Sequence, residues 1–135
     1  MNAQKRLRAA AGLQVIAGIA GVFSAVRILA AGSEGLPPPA GAEAMGGPPF
    51  WAGLMFFALA VASLFSAYGL WSGQRWGKVV ALVTCAVNAV FGAGDLVGGI
   101  LLGDAAMTTV FAAAVAGYVT VIALVLWREA APAAA

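Results

Sequence analysis

The chain has 135 residues, of which 63% are hydrophobic and only 9% charged, with seven Lys and Arg against five Asp and Glu. A soluble domain of this length leaves much of its surface in water and is nearer a quarter charged, so this composition requires lipid as solvent. The basic residues are scattered and not gathered on one face, which excludes a nucleic-acid footprint. There is one cysteine, Cys85, and no histidine. That excludes an internal disulfide, CxxC chemistry and any histidine-based triad, and it removes the commonest zinc and haem ligand.

Four apolar runs follow in chain order, at 9–31, 50–71, 79–102 and 105–127. Each spans roughly 33–36 Å at helical rise, enough for a ~30 Å hydrocarbon core. None has the alternation of a lipid-facing barrel strand, and in lipid only helices or closed barrels satisfy the backbone. The sequence therefore predicts an all-α membrane protein, a four-transmembrane-helix antiparallel bundle in a single membrane domain over 1–135. A cleaved signal peptide is the rival reading of the first run. The run is longer than a usual signal core, contains Arg27, and ends in only a loose cleavage site, Ala30-Ala31-Gly32.

Three connections separate the runs. Residues 32–49 carry Pro37, Pro38, Pro39, Pro48 and Pro49 among glycines, the composition of an irregular, mobile loop. Ser72 to Lys78 is a short polar turn, and Gly103-Asp104 is shorter still, so the third and fourth helices are predicted antiparallel neighbours. Lys5, Arg6, Arg8, Arg75, Lys78 and Arg128 fall on one side of four alternating spans, while the opposite connections hold Glu34, Glu43 and Asp104. The positive-inside rule places that basic side, with both termini, in the cytoplasm. Trp71, Trp76 and Trp127 would mark the inner interface, and Phe50 and Trp51 the outer one.

Arg27 and Asp95 are the charges inside the spans. They would lie about 6 Å and about 10 Å below the outer helix ends, so an ion pair between them is expected to offset the desolvation of both. For Arg27 the simpler reading is snorkelling to the headgroups, which the short Asp95 side chain cannot manage. Cys85, Asn88, Gly92, Asp95 and Gly99 recur at three- and four-residue steps along the third helix. Such a face suits close helix packing, with Asn88 bonding across it. Gly21, Ala62 and Gly117 sit in comparable small-residue series on the other helices, and the bland reading of all of them is bundle packing. Ser63, Asn88 and Tyr118 lie at similar depth and could form a polar layer in mid-membrane. Gly92-Ala93-Gly94-Asp95-Leu96-Val97-Gly98 has the wrong spacing and context for a dinucleotide fingerprint. No cofactor or metal is expected.

The turn Gly69-Leu70-Trp71-Ser72-Gly73-Gln74-Arg75-Trp76-Gly77-Lys78 resembles one in many small, uncharacterised bacterial four-helix membrane proteins. There a Trp-ended span is followed by an Arg-Trp-Gly-basic turn. The resemblance covers about ten residues and implies a bacterial inner membrane, without an activity. DoxX-like proteins share the four-span plan, but their polar first-helix pattern is missing here. Small multidrug transporters share the size and carry an essential first-helix glutamate, where this chain has Gln14 and Arg27.

The leading functional expectation is a non-catalytic accessory or structural subunit of a membrane complex. Its partners would be the bilayer and other membrane subunits or a second copy, with no nucleic acid. The alternative is a small-solute or proton transporter using an Arg27, Asn88, Asp95 track. A lipid-modifying enzyme is a distant third, since no nucleophile or acid–base pair is visible. Reporter fusions after Ala135 and within Gly41 to Gly47 are expected to read cytoplasm and exterior respectively. Reporters on the same side would overturn the four-span topology.

Overall fold

The computed structural model describes residues 2–34 and 49–127. Four helices account for almost all of them: α1 (Ala3–Glu34), α2 (Pro49–Trp71), α3 (Arg75–Leu102) and α4 (Ala105–Leu126). No strand occurs among the described residues, and all four helices are long and apolar enough to cross a membrane. The Pro/Gly-rich loop expected over 32–49 is shortened at both ends, because α1 continues through Glu34 and α2 already begins at Pro49. Residues 35–48 lie outside the described residues.

The helices outrun the apolar segments at the basic end. α1 begins at Ala3 and α3 at Arg75, so Lys5, Arg6, Arg8, Arg75 and Lys78 are all helical. Lys, Arg, Gln, Leu and Ala are good helix formers, and hydropathy marks where the lipid ends, not where the helix does. Asn2 caps α1 by accepting a hydrogen bond from the Lys5 amide at 2.9 Å.

Both short turns are built the same way. After α2, the Gly73 amide donates to the Leu70 carbonyl (3.2 Å) and the Gln74 amide to the Gly69 carbonyl (2.8 Å). After α3, the Gly103 amide donates to Ile100 (3.1 Å) and the Asp104 amide to Gly99 (2.9 Å). These are Schellman ends, which need a left-handed residue past the helix; Gly73 and Gly103 supply it at φ 72° and 68°. In each turn the next residue, Gln74 or Asp104, is already the N-cap of the following helix. Asp104 completes the cap by accepting from the Met107 amide at 2.9 Å. The shared sequence is Gly69-Leu70-Trp71-Ser72-Gly73-Gln74 and Gly99-Ile100-Leu101-Leu102-Gly103-Asp104.

The first glycine of each set lets the next helix come close. A Cβ on Gly77 would overlap the Gly69 backbone, and a Cβ on Gly99 would lie 3.0 Å from the Thr108 amide nitrogen. Between α1 and α2 the contacts run in opposite senses, Gly18 against Leu64, Gly21 against Ala60 and Gly53 against Leu29. Neighbours in sequence are thus antiparallel neighbours in space. α1 packs most extensively on α2 and α3 on α4, and the α1–α4 seam is the sparsest of the four sides.

The tightest core sits toward the basic end, where Ala10, Ala11, Ala67, Leu70, Ala81, Cys85 and Val121 are buried together. The same end carries the aromatic and cationic contacts. Arg6 donates from Nη2 to the Trp127 carbonyl at 3.3 Å, placing a cation on the carbonyl end of α4. The Arg8 guanidinium lies 5.1 Å from the Trp71 ring centre. Phe65 and Trp76 rings are 4.8 Å apart. Elsewhere Ile16, Phe23, Phe57, Val61, Val90, Val97, Val110 and Val119 project outward. Apolar side chains exposed on every helix fit a small integral membrane protein and no water-soluble one.

Gly103→Ala forces a Cβ into the left-handed region, which costs about 1–2 kcal/mol. It is expected to lower the unfolding temperature in nanodiscs, whereas Gly12→Ala, in a regular helix with open space around it, is expected to be neutral or stabilising. Equal effects would mean that the α3–α4 turn does not depend on its glycine.

Candidate functional site

All four helices contribute to a partly open cavity of about 180 Å³ in mid-bundle. Ala17, Gly21 and Ser24 line it from α1, Phe56, Ala60 and Ser63 from α2, Asn88 from α3, and Phe111, Ala114 and Tyr118 from α4. The polar layer expected from Ser63, Asn88 and Tyr118 is therefore one shared cavity wall, joined by Ser24. The groups do not form a direct network. Asn88 turns its amide to the Thr84 carbonyl of its own helix, at 2.9 Å.

Local satisfaction of this kind recurs. Ser66 donates to Ser63 O (2.8 Å), Thr84 to Val80 O (2.7 Å), Thr109 to Ala105 O (2.8 Å) and Thr120 to Ala116 O (2.7 Å). A hydroxyl in lipid or in a dry core has no water to bond, so it returns to the carbonyl one turn back.

Below the cavity, toward the basic end, Gln14 is completely buried and its Nε2 donates to Cys85 Sγ at 3.1 Å, joining α1 to α3. Gln14 Oε1 is buried with no hydrogen-bond partner. Neither residue stood out as a pair in the sequence. The signal available was the same as for Asn88, an amide inside a span that needs a partner.

The expected Arg27–Asp95 ion pair does not form. Asp95 is buried, at 7% exposure, on the face of α3 that also buries Gly92 and Gly99. Arg27 is exposed, on a turn of α1 whose buried positions are Ala25 and Ile28. Depth along a helix was readable from the sequence, but which face is buried was not: Asp95 lies on a buried face and Arg27 at an exposed position. Asp95 does not line the mid-bundle cavity, so Arg27, Asn88 and Asp95 do not make a continuous polar track.

The packing candidates divide. A Cβ on Gly21 would come within 2.9 Å of Ala60, one on Gly92 within 3.1 Å of Val115, and one on Gly99 within 3.2 Å of Met107, so these three sit at close helix contacts. Gly117 does not: nothing lies within 4 Å of its Cβ position. Instead it lines a groove between α1 and α4. Ala62 is half-buried. Among the described residues no group of three or more His, Cys, Asp or Glu side chains could hold a metal ion.

No known protein family, curated protein or solved structure matches the chain.

Gly92→Leu is expected to destabilise the bundle by about 1–3 kcal/mol, the usual cost of overpacking, because its first added atom already meets Val115. Leu101→Ala, at a position 81% exposed, is expected to change little. Thermal unfolding in nanodiscs compares them, and equal tolerance would show that Gly92 is not at a helix contact.

Proposed function

We propose that the protein is a small, non-catalytic subunit of a membrane complex, held with both termini in the cytoplasm, and that α4 carries its partner-facing surface. The observation that supports this is the outer face of α4. Thr109, Ala112, Ala113, Ala116, Thr120 and Ala123 recur at three- and four-residue steps, and all are exposed. Val121 is the buried residue of this helix.

Lipid-facing surfaces gain nothing from small side chains. Helix-facing surfaces do, because association in a bilayer rests on close packing and van der Waals contact. The Thr109 and Thr120 hydroxyls are already bonded to their own helix, so this face asks its partner for shape, not for hydrogen bonds. The partner that fits is another transmembrane helix, from a different subunit or a second copy of this chain.

The transporter reading draws on the mid-bundle cavity and its Ser24, Ser63, Asn88 and Tyr118 walls. It is weakened by Asp95, the intramembrane carboxylate, lying outside that cavity, and by the outward Arg27.

The test is the size of the particle extracted from native membranes by a mild polymer. The wild-type chain is expected to run well above the 13.4 kDa of one copy after allowance for bound lipid. Ala112→Leu with Ala116→Leu is expected to reduce it to the single chain. Mass spectrometry of the wild-type particle separates a second copy from a different subunit. A wild-type particle already monomeric, or an assembly indifferent to the double substitution, would sink the reading.

A further inference from the structure

We propose that the seam between α1 and α4 is a binding site for a neutral, membrane-soluble molecule carrying one hydrogen-bond donor, a hydroxyl on an aliphatic or aromatic body. The seam holds a groove of about 300 Å³, lined on the α1 side by Leu13, Gln14 and Ala17 and on the α4 side by Ala113, Gly117 and Tyr118. That is the lower end of the size range of small-molecule sites.

Three observations carry this assignment. The first is Gln14, which lines the groove, is 0% exposed, and has a carbonyl oxygen with no hydrogen-bond partner. A buried amide oxygen left unsatisfied is unfavourable, and a molecule that donates to it recovers that loss on binding once the lining side chains that cover the oxygen move aside. The amide nitrogen is already committed to Cys85, so the open requirement is for a donor and not an acceptor.

The second is the absence of charge. No Lys, Arg, Asp or Glu lines the groove, so a phosphate or carboxylate headgroup would enter it unpaired, at high cost in a low-dielectric setting. The occupant must be neutral. The third is the wall itself. Half of the lining residues are Ala or Gly, and the Cβ direction of Gly117 is open space, which leaves room for an apolar body. Ala17, Ala20, Ala114 and Tyr118 line both this groove and the mid-bundle cavity. The site therefore shares a wall with the mid-bundle cavity, and the Tyr118 side chain is a second polar group available to the bound molecule.

The test uses 4-hexylphenol as probe and hexylbenzene, the same body without the donor, as control, at matched mole fraction in nanodiscs containing the full chain. Binding is read from the saturable rise in unfolding temperature. For the wild type, 4-hexylphenol is expected to bind with an apparent Kd about ten-fold lower than hexylbenzene, the size of one net hydrogen bond. Gln14→Leu is expected to erase that preference while retaining hexylbenzene binding. Gly117→Leu is expected to weaken both probes by about ten-fold or more by filling the groove, and because its side chain enters open space it spares the fold even if Gln14→Leu does not fold. Equal wild-type affinities for the two probes, a preference that survives Gln14→Leu, or binding untouched by Gly117→Leu would each overturn the assignment.

Discussion

Close approach of helix backbones is the constraint on which this structure depends. In a bilayer, burying an apolar side chain between helices removes it from lipid and not from water, so the hydrophobic effect contributes little to association. What remains is contact, and contact needs small residues. Gly69 against Gly77, Gly21 against Ala60, and Gly99 against Met107 and Thr108 are such points. The buried core is built largely from alanine for the same reason. The two short turns extend the same device. In each, one glycine permits the approach of the next helix and a second, four residues on, reverses the chain.

A second consequence of lipid as solvent is that polar groups must be satisfied before they reach it. Ser66, Thr84, Thr108, Thr109 and Thr120 do this within their own helices. Asn88 does likewise with half of its amide. Gln14 instead reaches across to Cys85 and keeps an oxygen without a partner. Against this background of local satisfaction by Ser and Thr, an orphan acceptor beside a groove is a feature with chemical consequence. The charges are treated differently again. Lys5, Arg6, Arg8, Arg75 and Lys78 collect at one end, where Arg6 meets the last carbonyl of the α4 end and Arg8 meets the Trp71 ring. This fixes the first helix against the second and fourth at the end where the core is tightest.

The proposed subunit role rests on the exterior of the bundle more than on its interior. The interior offers a small, mostly apolar space. The exterior offers a helix whose small residues face outward. The groove between α1 and α4 adjoins that small-residue face, since Ala113 belongs to both.

Much of the architecture was legible in the sequence. Span number and approximate limits follow from hydropathy, because lipid tolerates almost no charge over ~20 residues. The turns follow from Gly73 and Gly103, and the common side of Lys5, Arg6, Arg8, Arg75 and Lys78 from counting spans. Depth was legible too: Ser63, Asn88 and Tyr118 were expected at one level and line one cavity. Rotation was not. A soluble helix declares its buried face through amphipathicity, but a helix apolar on all sides gives no such signal. With 100° between successive residues, a small error in phase exchanges inside for outside. Hence only the tertiary structure decided that Arg27 is exposed while Asp95 is buried, that Gly117 opens on a groove instead of a neighbour, and that Gln14 meets Cys85 across the bundle. Sequence set how deep each residue lies, because lipid thickness fixes depth; packing set which way it faces, because in lipid nothing else does.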